Sequence, residues 1–372
     1  MWKRRIVFWC GAGALSAVGC LALFLAYLAG IRYADVPVSS ALLRFPVVRH
    51  FLVLAKWGPL ADFIKAQVDE QSKDAFATVW DTNSPVLLSR TLYRRVEMFG
   101  VQKYMYKPGL RKISVWANQA HFSIGLETED TPEVRAALKR MTPAHLATAA
   151  YDQQGFRQVD AGITGACAAS VLFLGDSFTD GIWVNNRDTF VSQYARVASE
   201  GAGHRLCAVN TGVNGYGSLE EAYVLEHYYE PAGHPPLVLL MHFPNDVDDD
   251  YRSLLDGTLP DAAVKWERSL SYLRRMAAFS RAHGAAFVVV AIPPLEQLAR
   301  PETRERYQAV LQAFCAGEHV PFVDPLDRLR ALHAPDLYFG WDPHLTPRGH
   351  RALADALYAE TRVLLYGLLT RS

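Results

Sequence analysis

From Tyr151 onward, short apolar runs alternate with helical segments, and no other feature restricts the fold as strongly. The strand-like runs are Ser170–Leu174, Leu206–Val209, Leu237–Met241, Ala286–Ile292 and Pro321–Val323; the clearest helical segments between them are Ala262–His283 and Thr303–Ala316. Strands and helices alternating at this spacing predict a parallel sheet covered on both faces. Right-handed crossovers then give a doubly wound α/β sandwich over residues 151–372. Ligands in such sheets bind beyond the carboxyl ends of the strands, so any chemistry is expected there.

The other end of the chain is of a different kind. From Ile6 to Ile31 there is no charged residue, with Lys3, Arg4 and Arg5 before the run and Arg32 after it. About 26 residues at ~1.5 Å per residue make a helix of roughly 39 Å, enough to cross a ~30 Å hydrocarbon core. A cleavable signal peptide has a shorter apolar region, and Ala17-Val18-Gly19-Cys20 is followed by further apolar residues where a lipoprotein would turn polar. The expectation is residues 1–5 as a cytoplasmic tail and 6–31 as a single-pass transmembrane helix in a cell inner membrane. The positive-inside bias then places the C-terminal domain outside the cytoplasm, in the periplasm. Lys and Arg total 38, as do Asp and Glu, a balance that argues against nucleic-acid binding; 50% hydrophobic residues exclude a disordered chain.

Residues 32–150 read as a small mixed, membrane-proximal lobe. Phe45 to Ile64 carries Arg49, His50, Lys56 and Asp62 and suits an amphipathic helix better than a span. Alternation at Ile113, Val115 and Ala117, and at Phe122, Ile124 and Leu126, predicts two strands around Asn118-Gln119, and Thr131-Pro132-Glu133 predicts a helix start. Between Arg90 and Trp116, Arg94, Arg95, Lys103, Lys107, Arg111 and Lys112 mix with Tyr93, Tyr104 and Tyr106. A groove for an anionic glycan is one reading; an ordinary solvated face is the favoured one.

Four blocks carry chemistry. Strand one runs into Gly175-Asp176-Ser177-Phe178-Thr179-Asp180-Gly181. There a serine on a sharp turn could expose its hydroxyl and turn its backbone N–H toward an oxyanion, or merely cap a helix. Strand two ends in Asn210-Thr211-Gly212-Val213-Asn214-Gly215-Tyr216-Gly217, and strand three in His242-Phe243-Pro244-Asn245-Asp246, whose asparagine could supply a second oxyanion donor. Near the C-terminus, Trp341-Asp342-Pro343-His344-Leu345-Thr346-Pro347 offers His344 as base and Asp342 as its orienting acid, with Thr346-Pro347 opening a last helix.

Together, and in this order, the blocks resemble the SGNH, or GDSL-type, hydrolase superfamily over about Tyr151 to Leu368. Tyr151-Asp152-Gln153-Gln154-Gly155-Phe156-Arg157 looks like the lead-in of its exported bacterial members. The resemblance implies a flavodoxin-like parallel sheet and Ser177 as nucleophile, with His344 as base and Asp342 as its acid. It further implies an oxyanion hole of the Ser177 N–H, the Gly215 N–H and the Asn245 side chain. Two departures stand out: Phe243 replaces the usual glycine two places before the block-three asparagine, and the acid and base are spaced Asp-x-His rather than Asp-x-x-His.

The expected activity is that of a serine esterase or deacetylase working through an acyl-enzyme on O-acyl esters, O-acetyl above all, with a cell-envelope polysaccharide as a substrate suited to an exported, anchored protein. A polysaccharide O-acetyltransferase using the same triad and a non-catalytic glycan-binding scaffold are the alternatives. No metal or other cofactor is expected, since no cysteine or histidine group has ligand spacing. His242 reads as packed at a strand end, His350 as packing on or capping the final helix, and Asp246, Asp248, Asp249 and Asp250 as a solvated acidic loop. Cys10 and Cys20 fall in the apolar run. Cys167, Cys207 and Cys315 would face an oxidising space. If Gly175 and Asn210 end level, Cys207 lies opposite Leu172 and Cys167 lies ~16 Å further back, which favours two separate thiols over a disulfide.

Overall fold

The computed structural model describes residues 19–29, 51, 86–88, 92–117, 120–125, 145–249, 262–299 and 306–370. It divides into two compact units. One comprises Met1–Arg90, Val115–Ile124 and Thr128–His145, the other Thr91–Ser114, Gly125–Glu127 and Leu146–Ser372.

In the first unit, β1 (Val86–Leu88) pairs in parallel with β5 (Ala120–Gly125), Val86 opposite His121. Residues 19–29 are helical; the rest of the predicted anchor lies outside the described residues, among which no helix is long and apolar enough to cross a membrane. The helices predicted within Phe45–Ile64 and from Thr131 also fall outside them, apart from Phe51. The predicted strand pair is present as β4 (Arg111–Ala117) and β5.

The second unit contains an antiparallel hairpin, β2 (Tyr93–Met98) and β3 (Val101–Tyr106), in which Tyr93 faces Tyr106. The sequence-based boundary near Tyr151 left this hairpin in the membrane-proximal lobe. Its residues Leu92, Met98, Met105 and Tyr106 are buried in the same apolar cluster as Leu172, Leu174, Val238 and Leu240 of the large sheet.

That sheet is formed by β7 (Ala169–Gly175), β8 (Leu206–Asn210), β9 (Leu237–His242), β10 (Ala286–Ala291) and β11 (Phe322–Val323). All neighbours run parallel, in the order β11-β10-β9-β7-β8. Counting from β7, this is the flavodoxin-like order 2-1-3-4-5 read from the far edge, with its switch point between β7 and β9. Because side chains alternate across a strand, Val171 and Phe173 face one layer and Leu172 and Leu174 the other. Helices α2 (Phe190–Ala202) and α9 (Pro347–Leu369) cover the Phe173 side, while α3 (Ser218–Tyr228), α5 (Ala262–Ala282) and α7 (Arg306–Glu318) cover the Leu172 side. As expected, α9 starts at Pro347 and is capped by Thr346, which accepts from the Gly349 N–H at 3.1 Å.

One expectation is overturned. Cys167 and Cys207 are joined in a disulfide, with Cα atoms 5.6 Å apart. The strand ends are not level: Asn210 pairs with Phe173 and Cys207 with Ser170. The Ala168 N–H donates to the Arg205 carbonyl at 2.8 Å, so the chain before β7 continues alongside the start of β8 and brings Cys167 within reach.

Candidate active site

The carboxyl ends of β7 and β9 flank the switch point, and each block continues directly from its strand. After Gly175, Asp176 caps the one-turn helix α1 (Ser177–Asp180), its Oδ1 accepting from the Phe178 N–H at 2.9 Å. The cap is therefore Asp176 and not Ser177, whose Oγ lies 3.4 Å from Asp176 Oδ2. His344 Nε2 lies 2.7 Å from Ser177 Oγ. Asp342 Oδ1 accepts from both the backbone N–H and the ring Nδ1–H of His344, at 2.9 and 2.5 Å. The single intervening residue is enough, because the acid grips base and backbone together. Burial alone would push the imidazole pKa down; the charge and hydrogen bond of Asp342 outweigh it and hold the pKa above its ordinary value. Phe178 and Phe243 stack at 3.9 Å, and Phe178 lies 4.5 Å from the His344 ring.

The expected oxyanion donors surround the hydroxyl's own helix. Among the described residues, the N–H groups of Ser177 and Gly215 donate to no protein acceptor. The Gly215 loop is pressed against α1: a Cβ at Gly212 would stand 2.2 Å from the Asp180 N, and Asn210 Nδ2 donates to the Thr179 carbonyl at 2.8 Å. From the far side of the switch point, Asn245 Nδ2 donates to Asp176 Oδ2 at 3.2 Å. Asp176 is fully buried, and burial raises its pKa. Hydroxyl, imidazole and carboxylate thus form one hydrogen-bonded line, with the Asn245 amide bonded to the neighbouring Asp176. Such a set can deprotonate the serine and stabilise a tetrahedral oxyanion.

Residues 173–352 match the sequence model of the GDSL-like lipase/acylhydrolase family. The chain carries a GDSL-like serine ester hydrolase domain. Solved structures similar to it include a catalytic mutant of an acetylxylan esterase from Geobacillus stearothermophilus, with 20% identity over 53% of this chain and 96% of that one and a TM-score of 0.39. The psychrotrophic esterase EstA from Pseudoalteromonas sp. shows 15% identity over 53% and 99%, at a TM-score of 0.40. TesA shows 19% identity over 52% and 99%, at 0.42. No curated protein sequence matches the chain.

The GDSL-like domain's α1 is braced by residues to which the sequence assigned no catalytic part. Asp180, fully buried, accepts from Lys112 Nζ at 3.0 Å, Tyr106 Oη at 3.0 Å and Tyr151 Oη at 2.8 Å. Arg157 Nη1 donates to the carbonyls of Asp180 and Gly181 at 2.5 and 2.6 Å, and its Nη2 donates to that of Val184. Burial alone would raise the Asp180 pKa, but Lys112 and Arg157 keep it below the usual carboxylate value. Burial in turn pulls Lys112 down to about 8 in spite of Asp180. Lys103 is likewise buried against Glu220, so the predicted solvated face from Arg90 to Trp116 does not hold for Lys103, Tyr106 or Lys112.

The remaining polar features divide. His350 is buried, and its Nδ1 accepts from the Phe190 N–H at 3.0 Å, capping α2. His242 is buried and kept neutral by burial, its pKa lowered to about 3, between the rings of Trp266 and Tyr307. Asp246 departs from the solvated-loop reading: it is buried, and its Oδ2 accepts from the Phe243 N–H at 2.8 Å, closing the turn that presents Asn245.

Proposed function

We propose that the protein is an O-acyl esterase working through an acyl-enzyme on Ser177. His344 Nε2 takes the serine proton as Oγ attacks the acyl carbon, and the imidazolium then protonates the leaving alcohol. Asp342 fixes the tautomer with the proton on Nδ1 and stabilises the imidazolium. The oxyanion is received by the N–H groups of Ser177 and Gly215 and by Asn245 Nδ2. Water activated by neutral His344 releases the acid. The observation that carries this reading is the 2.7 Å contact between Ser177 Oγ and His344 Nε2 with Asp342 behind it.

The acyl group is read as short, acetyl above all, because the Phe178 and Phe243 rings crowd the side of His344. The bearer is read as a cell-envelope polysaccharide. Support for that setting comes from the uncharged run Ile6–Ile31 behind Lys3-Arg4-Arg5, and from the Cys167–Cys207 disulfide, a bond that persists in oxidising compartments. Mass spectrometry of the protein quenched during turnover of p-nitrophenyl acetate should find one acetyl group on Ser177 and free acetate as product. Absence of any acyl adduct on a protein that turns over would overturn the mechanism. Transfer of the acetyl group to added glycan faster than to water would make the protein an acetyltransferase.

A further inference from the structure

We infer that Tyr104 is a positioning residue for the oxyanion hole, acting on the peptide bond between Asn214 and Gly215. The inference rests on the reading above, in which the Gly215 N–H is an oxyanion donor. Tyr104 belongs to β3, far outside the stretch matched by the family, yet its Oη donates to the Asn214 carbonyl at 2.9 Å. That carbonyl and the Gly215 N–H are two ends of one planar trans peptide and point in opposite directions. Holding the oxygen toward the hairpin therefore aims the N–H away from it. Gly215 has φ 77°, where glycine leaves the backbone free to turn, so the orientation needs an outside hold. The phenol supplies it at close quarters: a Cβ on Gly215 would stand 2.7 Å from Tyr104 Oη. A hydrogen bond accepted by the carbonyl also polarises the amide and makes its N–H the better donor.

Tyr104 is itself held in return. Tyr216 Oη donates to the Tyr104 carbonyl at 2.7 Å, so the hairpin and the glycine loop grip each other in both directions. The buried Lys103–Glu220 pair lies alongside, and Glu220 also accepts from the Gly217 N–H at 3.1 Å. The rings of Tyr93 and Tyr216 pack on Tyr104 at 4.9 and 6.1 Å. With Tyr106 and Lys112 on Asp180, the segment 92–114 thus braces both backbone donors of the hole, Ser177 through α1 and Gly215 through Tyr104.

The test is Tyr104→Phe in the full chain, assayed on p-nitrophenyl acetate beside Ser177→Ala and Tyr216→Phe, with benzeneboronic acid as a probe that forms a tetrahedral adduct on serine. Tyr104→Phe should lower kcat about tenfold, the scale of one buried hydrogen bond, with KM little changed. Boronate affinity should fall in parallel. Tyr216→Phe, which loosens the same clamp without touching the Asn214–Gly215 peptide, should stay within about twofold of wild type. Equal losses in Tyr104→Phe and Tyr216→Phe, or a wild-type kcat in Tyr104→Phe, would overturn the inference. Replacing Tyr104 by 3-fluorotyrosine keeps the ring and strengthens the donor, so kcat should match or exceed wild type; a fall to the phenylalanine level would also overturn it. If Ser177→Ala retains activity, the acyl-enzyme reading fails instead, whatever Tyr104 does.

Discussion

Asp342 holds His344 at two points: its Oδ1 accepts from the backbone N–H at 2.9 Å and from the ring Nδ1–H at 2.5 Å. The carboxylate thereby raises the pKa of the base it orients. Neutral His344 is the active form, so kcat/KM should fall as pH drops, with a midpoint above the ordinary value of 6.5. In Asp342→Asn that midpoint should move down and kcat should drop by ~10³–10⁴. A pH-rate profile of both proteins checks this; an unmoved midpoint would contradict it.

The Lys112–Asp180 pair predicts a stability effect. Asp180→Asn leaves a buried ammonium without its counter-charge and should cost about 3–5 kcal/mol by chemical denaturation at pH 7. Lys112→Met combined with Asp180→Asn should cost less than the sum of the single changes. Because the folded pKa of Asp180 is depressed, its contribution is present above its unfolded value of 3.8 and is lost as pH falls through the folded value. The double variant should lose less stability than wild type over that acidic range.

Thiol counting should find two more reactive cysteines after reduction than before, from Cys167 and Cys207. The bond closes a separation of 40 residues, and Cys167→Ser should lower stability by about 2–4 kcal/mol. Equal counts before and after reduction would contradict the disulfide.

Asn245→Ala should lower kcat by ~10²–10³ with a smaller change in KM, because the lost donor matters most when the oxyanion forms. Steady-state kinetics on a chromogenic acetyl ester decide it.

The parallel sheet was legible because continuous apolar runs such as Leu237–Met241 admit few other folds; Ser177 stood out because its block ends a strand, and Asp342 and His344 because theirs leads into the last helix. The bracing was not. Lys112 meets Asp180 across 68 residues, and nothing local distinguishes a buried lysine from its exposed neighbours in a charge-rich stretch. The disulfide was missed for a related reason: a two-residue stagger between β7 and β8 is set by packing and leaves no mark on either strand.

Kinetics of Ser177→Ala, His344→Ala and the double variant test the central claim most directly. Acting as one unit, the pair should give single variants that each lose ~10⁴-fold or more in kcat and a double variant little worse than either. A folded Ser177→Ala protein that hydrolyses p-nitrophenyl acetate at the wild-type rate, or losses that multiply in the double variant, would contradict it.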